Sequence, residues 1–454
     1  MNSKKPKQGY KLVKSFFGKN EEIPTEWEYT KLSNLAEKKN DIVAGPFGSN
    51  LKVSDYKSSG VPIIRLQNIE RNRFIDKNIQ YISKEKAEEL SYHSYQPKDI
   101  ILAKLGDPIG KTCRVPETFP AGIVVADVVR IRTSPKKADT KYVEYILNSN
   151  LCEKQHNKER IGTTRPRVNL EQIRDLRFPC PPLKEQQKIA SILSNVDSLI
   201  NQTQKEIEQT QRLKKGLMQK LLTKGIGHIK LKKVNFGGQI DAQIPEEWDV
   251  VTIEEISVDG TQNGLAISIS DYGKGIPIVG MTKFYASEIL SLDNMNEVSI
   301  SEKDKENFSL RSFDLLFGRR SMDGKATGGA GKCVIIPELK SAIVFESSII
   351  RMSVKKGINP FFIYQLLKSQ FGKQLMIRII RVSAVSGISS GDLRKIKVPI
   401  PPKQEQDEIV EILDNFDSQI QRQQQYKSKL EILKKGLMQK LLTGQIRVKV
   451  WVLL

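Results

Sequence analysis

Two stretches of the chain carry their seam positions at alternating steps of four and three. The first runs Ile189, Leu193, Val196, Ile200, Thr203, Ile207, Thr210, Lys214, Leu217, Leu221. The second runs Ile409, Leu413, Phe416, Ile420, Gln423, Lys427, Leu430, Lys434, Leu437, Leu441. A mean step of 3.5 is a heptad seam, so the pattern predicts two long helices, over 183–223 and 403–443. At 1.5 Å per residue, a helix from Lys184 to Leu222 is roughly 58 Å long. Each follows a proline stop, Pro179-Cys180-Pro181-Pro182 and Pro399-Ile400-Pro401-Pro402. Alone, either helix would turn its apolar stripe to water. The simplest remedy is mutual packing. Chain order then favours an antiparallel pair, a rod with a domain at each end. An intermolecular coiled coil is the competing arrangement. Gln423, Lys427 and Lys434 interrupt the second seam, where polar residues fix register at some cost in stability.

Outside the helices the period changes. From about Trp27 to Pro182, short β-rich runs (VPIIRL, DIILAKL, AGIVVADVVRIR) alternate with Gly, Pro, Asn and Ser clusters, and Tyr142–Asn148 reads as a short helix. From about Trp248 to Pro402 the order returns with IPIVG, DLLFG and SAIVFESSIIRMSV. This is an α+β pattern, met twice. The segment 224–243 between the copies is rich in Gly and Lys without helical period and reads as a linker. Residues 1–20 carry lysines at 4, 5, 7, 11, 14 and 19 with no acid among the first nineteen, and read as a basic flexible tail. Residues 444–454 read as a C-terminal tail.

The duplication is explicit. The string LKKGLMQKLLT occurs at Leu213–Thr223 and again, 220 positions on, at Leu433–Thr443. The same shift carries Glu185-Gln186 onto Glu405-Gln406 and Asp197 onto Asp417. Ile23-Pro24-Thr25-Glu26-Trp27 returns as Ile244-Pro245-Glu246-Glu247-Trp248. Between these ends only a skeleton is shared. Equivalent surfaces with the same residues should bind the same thing, and equivalent surfaces with different residues should bind different things. The repeat therefore predicts two copies of one partner and two unlike targets.

A formal charge of +21 and a pI near 9.6 exceed what solubility requires and point to a polyanion, most often nucleic acid. Cys113, Cys152, Cys180 and Cys333 are scattered, as are the three histidines. Neither a zinc cluster nor a disulfide framework is indicated, and a reducing cytoplasm fits. No apolar run reaches membrane-spanning length.

Enzyme chemistry finds no footing. Ala326-Thr327-Gly328-Gly329-Ala330-Gly331-Lys332-Cys333 nearly matches a phosphate-binding loop but has Cys where a magnesium-binding hydroxyl is needed. Gly106-Asp107-Pro108-Ile109-Gly110-Lys111-Thr112 has the hydroxyl, but its glycines stand one residue too close. A glycine-rich turn between strands explains both. Asn359-Pro360-Phe361-Phe362 resembles the loop that holds an adenine amino group in amino-methyltransferases, without its second proline. The matching Asp139-Thr140-Lys141-Tyr142 shows that both are capped helix starts. No Ser/His/Asp or Cys/His set can be assembled, so the chain reads as a binder.

With these motifs in duplicate and in order, from about Tyr10 to Val448, the chain resembles the specificity (S) subunits of type I restriction–modification systems. The resemblance rests on Gly45-Pro46-Phe47-Gly48-Ser49-Asn50-Leu51, the I-P-x-E-W strings, the P-P-x-x-E-Q helix starts and the GLMQKLLT helix ends. It implies two target recognition domains, 21–182 and 244–402, separated by two antiparallel coiled-coil helices, with an internal pseudo-two-fold repeat. Each domain would read half of a split double-stranded DNA site. The helices would dock two methyltransferase (M) subunits, and restriction (R) subunits would join. S-adenosylmethionine, ATP and magnesium would sit on those partners and none on this chain. A specificity subunit serving a fused restriction–methyltransferase is the nearest alternative. A stand-alone DNA-modifying enzyme and a structural coiled-coil protein are more distant ones. Two departures stand out. Lys449–Leu454 extends past the usual Gly-x-Ile-Arg-Val finish at Gly444–Val448, and the second domain has Gly260-Thr261-Gln262-Asn263-Gly264-Leu265 in place of the Gly-Pro-Phe-Gly-Ser loop.

Base edges are read by polar side chains held in place by phosphate contacts, with Arg or Lys suited to guanine and Asn or Gln to adenine. In the first domain the candidates are Ser49, Asn50, Lys52, Arg65, Gln67, Asn68, Lys104, Lys111, Arg165 and Arg167. In the second they are Lys283, Arg319, Arg320, Lys325 and Lys332. On the helices, residues kept in both copies are the expected partner contacts: Glu185, Gln186, Leu217, Met218 and Leu221, with Glu405, Gln406, Leu437, Met438 and Leu441.

Overall fold

The computed structural model describes residues 5–162, 164–286, 290–320, 329–381 and 387–449. Both long helices form without interruption, Leu183–Lys224 and Lys403–Leu441. The chain divides into two compact units, residues 1–204 with 425–454, and residues 205–424. Each unit therefore combines one α+β domain with a segment of both helices.

Inside each unit the two helical segments run antiparallel. In the first, Glu185 meets Arg447 while Asp197 meets Lys434. In the second, Lys214 meets Asp417 while Ile226 meets Glu405. The first helix buries most of its seam residues, whereas the second buries Ile409, Leu413, Leu430 and Leu441 and leaves the rest half-buried. Ile189 and Leu193 share a core with Leu441 and Leu442, and Leu221 and Leu222 share one with Ile409 and Leu413.

The first domain holds a four-stranded antiparallel sheet in the order Thr112–Arg114, Ile100–Ala103, Val128–Ile131, Ile42–Ala44. A second sheet has the order Gln80–Ile82, Val61–Ile64, Gly122–Val124, Ser94–Tyr95, and its central pair is parallel. The second domain repeats this with Ser257–Asn263, Ile349–Val354, Leu315–Gly318 and Cys333–Ile335. Its other sheet is Asn296–Val298, Tyr272–Val279, Val344–Phe345, again with a parallel pair. The glycine-rich segment 106–112 is the expected turn between strands. The runs AGIVVADVVRIR and SAIVFESSIIRMSV each split into two strands in different sheets, because the chain breaks at Val125–Asp127 and at Glu346–Ser348.

Three segments need correction. The basic tail is ordered from Tyr10, where Tyr10–Lys14 pairs with Asn20–Pro24. The linker contains the same hairpin, Leu231–Asn235 on Asp241–Pro245. Both belong to the repeat. Their lysines belong to a paired two-stranded ribbon and are not a sign of disorder; Lys232 donates to the Glu246 and Trp248 carbonyls at 2.8 and 2.6 Å. Each hairpin leads into a fully buried tryptophan, Trp27 or Trp248. Residues 444–449 are likewise docked and are no loose tail, since Val448 packs on the first unit's core. Residues 450–454 lie outside the described residues.

Helix starts are tied to their domains by the duplicated Glu-Gln pair. Glu185 accepts from the Trp27 indole at 2.9 Å, and Glu405 from the Trp248 indole at 2.9 Å. Gln186 accepts the Asp139 N–H at 2.9 Å and Gln406 the Asn359 N–H at 2.7 Å. Asp139 and Asn359 in turn cap the helices Thr140–Leu147 and Pro360–Lys368, as expected from sequence.

Candidate nucleic-acid interface

Pairing geometry gathers one set of loop residues at one edge of the first domain. Parallel pairing of Val61–Ile64 with Gly122–Val124 brings Arg65 beside Val125, whose N–H donates to the Ile64 carbonyl at 3.2 Å. Antiparallel pairing places Gly45, Lys104 and Asp127 at the same end. The Gly45 N–H donates to the Val128 carbonyl at 2.9 Å and the Lys104 N–H to the Asp127 carbonyl at 2.9 Å. Gly45 approaches so closely that a Cβ there would lie 2.1 Å from the Val125 carbonyl oxygen, so glycine is required at the start of this loop. Leu105 bridges Arg167, and the Val168 N–H donates to the Lys104 carbonyl at 3.0 Å.

The loop 45–52, Arg65, Lys104, Arg165 and Arg167 thus share one edge. Ser49, Asn50, Lys52, Gln67, Arg165 and Arg167 are exposed there. Arg65 donates to the Asn78 carbonyl at 2.9 Å, and Gln67 reaches the same oxygen at 3.2 Å. Burial holds the Lys104 ammonium below the ordinary lysine range, and neighbouring Arg167 pushes the same way against Asp127. An anion arriving here would be met by positive charge that the protein only partly neutralises.

The second domain rebuilds this frame with other side chains. Gly264 takes the place of Gly45, and a Cβ on it would lie 2.2 Å from the Glu346 carbonyl oxygen. Glu346 stands where Val125 does, its N–H donating to the Val279 carbonyl at 3.2 Å. Gly280 replaces Arg65. The Arg319 N–H donates to the Ser348 carbonyl at 2.9 Å, as Lys104 does to Asp127. Bridges Arg320 to Gly387 and Arg381 to Gly387 repeat Leu105 to Arg167 and Ile161 to Arg167. The positive charges are therefore Arg319, Arg320 and Arg381, two of them where the first domain has Leu105 and Ile161. Arg381 was missed by the sequence reading, because only the bridge register reveals its equivalence. Its guanidinium pairs with Asp392 at 2.6 Å.

Several expected DNA contacts are otherwise engaged. Asn68 is fully buried, donates to the Ile75 and Lys77 carbonyls at 2.9 and 3.1 Å, and accepts the Arg65 N–H at 3.1 Å. Its role is structural. Lys111 is paired with Glu70 at 3.0 Å. Lys332, at the same place in the repeat, donates to the Phe284 and Tyr285 carbonyls at 3.2 and 3.1 Å. Lys283 donates to the Asp293 carbonyl. Lys325 lies outside the described residues.

The expected partner contacts also turn inward. Glu185, Gln186, Gln406, Leu221 and Leu441 are buried. Glu405 is mostly buried, and Leu217, Met218, Leu437 and Met438 pack on the two cores. They hold the units together internally. On the two long helices the duplicated apolar residues left at the surface are Leu213 and Leu433, 62% and 50% exposed.

Comparison with known proteins agrees with this architecture. The profile of the type I restriction modification DNA specificity domain matches residues 24–209 and again 245–432. The type I restriction enzyme MjaVIII specificity subunit of Methanocaldococcus jannaschii is 30% identical over 338 residues, covering 72% of this chain and 75% of that one. The putative MjaX specificity subunit of the same organism is 29% identical over 446 residues, 94% and 95% of the two chains. A chain from a study of complex assembly and conformational transition of the type I R-M system shares the fold with a TM-score of 0.59 at 15% identity, covering 93% and 99% of the two chains. The type I restriction–modification S subunit from M. genitalium does so with a TM-score of 0.51 at 15% identity, covering 92% and 96%. Among the described residues no helix is long and apolar enough to cross a membrane. With the domain present twice, on a shared frame whose loop residues differ, the chain belongs to the type I restriction–modification specificity-subunit family, in which it supplies DNA-sequence specificity and leaves catalysis to others.

Proposed function

We propose that each unit reads one half of a split, asymmetric double-stranded DNA site, and that the chain directs two methyltransferase (M) subunits and restriction (R) subunits to it in the cytoplasm. One observation carries this reading. The same hydrogen-bonded frame presents Arg65, Val125, Lys104 and Arg167 in one domain and Gly280, Glu346, Arg319 and Gly387 in the other. Lys104, Arg165, Arg167, Arg319 and Arg320 would hold phosphates, while Arg65, Gln67, Ser49 and Asn50 would meet base edges.

Two M subunits follow from the duplicated helices, and Leu213 with Leu433 replace the helix-start residues as their contact points, being both retained and exposed. S-adenosylmethionine, ATP and magnesium belong to the partners in this scheme. The naming of the relatives as subunits of type I restriction enzymes supports that company.

The test is genome-wide mapping of methylated adenines in cells carrying the complete system. Replacing residues 21–182 with the first domain of another family member should change one half of the methylated motif and leave the other intact. A change in both halves, or in neither, overturns the reading.

A further inference from the structure

Glu346 is out of place on a basic edge. It follows the strand Val344–Phe345 and occupies the position of Val125. Its Oε1 accepts the Met281 N–H at 2.7 Å, while Oε2 takes no hydrogen bond from the described residues. No lysine, arginine or histidine among the described residues forms an ion pair with it. Burial raises its pKa above the usual carboxylate range. Gly280 leaves the space it needs, since a Cβ there would lie 3.2 Å from Oε2. In the first domain the charge at this edge is inverted, with Arg65 where Gly280 stands. A half-buried carboxylate without a cation is costly, and near phosphates it is repelled. Capping the helix Met281–Ala286 uses only one of its oxygens.

We infer that Glu346 is a specificity-determining residue that accepts a hydrogen bond from the exocyclic amino group of a cytosine in the half-site read by the second unit. A carboxylate only accepts. Cytosine offers the N4 amino donor in the major groove with no acceptor beside it, whereas adenine sets its N7 acceptor next to its N6 donor and suits an amide. The first domain's Arg65 at the same edge suits the opposite pattern, the paired acceptors of guanine.

This inference rests on the strand-end edge facing DNA, and the test separates the two. Full-length protein in its methyltransferase complex would select sites from a randomised DNA library. The wild type should specify a C·G pair in the second half-site. Glu346→Ala should make that pair degenerate, losing roughly 5- to 150-fold discrimination. Glu346→Gln keeps an acceptor for the Met281 N–H and should move the preference to A·T, so it decides the matter if the alanine variant fails to fold. The first half-site should not change. Glu346→Gln protein that folds and selects the wild-type motif would overturn the inference. Arg319→Glu with Arg320→Glu probes the edge itself. If that variant binds DNA normally, the underlying reading fails. If it loses binding while Glu346→Gln leaves the motif intact, only the role of Glu346 fails.

Discussion

Lys214 donates to Asp417 at 2.5 Å, one long helix to the other within the second unit. The repeat makes the same contact again in the first unit with the helices exchanged, Lys434 on Asp197 at 2.6 Å. Lys427 pairs with Glu431 on its own helix, but the other two seam lysines, Lys214 and Lys434, are thereby accounted for. Each is held by an aspartate that the same 220-residue shift duplicates, and the pair fixes the antiparallel register. A slip of one heptad would strand both charges.

The two pairs should not be worth the same. Asp197 is 24% exposed and also accepts from the Tyr145 hydroxyl at 2.6 Å, while Asp417 is 50% exposed. Asp197→Ala should cost about 2–4 kcal/mol and Asp417→Ala about 1 kcal/mol. Urea midpoints of the two variants measure this, and equal losses would contradict it.

Glu185, with a side chain 3% exposed, depends on Arg447, whose Nε and Nη2 donate to it at 2.8 and 2.9 Å. In the second unit His228 and the Ile226 N–H serve Glu405 in its place, each at 2.9 Å. Arg447→Ala should destabilise the first unit by about 3 kcal/mol, because it leaves a carboxylate buried without its cation. Adding Glu185→Gln should recover part of the loss. A double variant no more stable than the single one would show that the charge is not the cause.

DNA affinity should separate the free cations from the engaged ones. Arg165→Ala with Arg167→Ala should weaken binding to all sequences and flatten the dependence of log K on log salt by about 0.9 per lost phosphate contact. Lys111→Met and Lys332→Met, whose ammonium groups are committed to Glu70 and to backbone carbonyls, should leave that slope unchanged. Filter binding over a salt series compares them directly.

Burial lowers the pKa of His156 to about 4 from an ordinary 6.5, with its ring packed against Gly110. Above pH 6.5 the ring is neutral folded or unfolded, and stability is untouched. Between pH 6.5 and 4 the unfolded chain takes up a proton that the folded one refuses, so stability falls, by at most about 3 kcal/mol. His156→Gln should remove that slope from a plot of urea midpoint against pH. A variant that falls in parallel with the wild type would place the acid sensitivity elsewhere.

The residues at the proposed DNA edge were legible in part. Arg165, Arg167, Lys104, Arg319 and Arg320 are candidates on sequence because charge beside Gly-rich turns is visible in one dimension. Asn68, Lys111 and Lys332 look the same on paper but are bonded within the domain. Arg381 and Glu346 gave no signal, because their place at the edge comes from strand register across distant segments. The hairpins at Tyr10–Pro24 and Leu231–Pro245 were hidden by their lysines, since charge reads as solvation whether or not a partner strand lies alongside.

By itself the sequence determined the two long helices, their seam and the duplicated order of strands. Heptad spacing, alternation and proline stops are properties of neighbours in the chain, set by the rise and twist of the backbone. Only the tertiary structure decided which polar groups stay exposed and which are spent inside, and that Glu185 and Glu405 tie the helix starts to their domains. The physical reason is range. A hydrogen bond or ion pair acts over about 3 Å, and what folding brings within that distance of a side chain is decided by segments tens or hundreds of residues away.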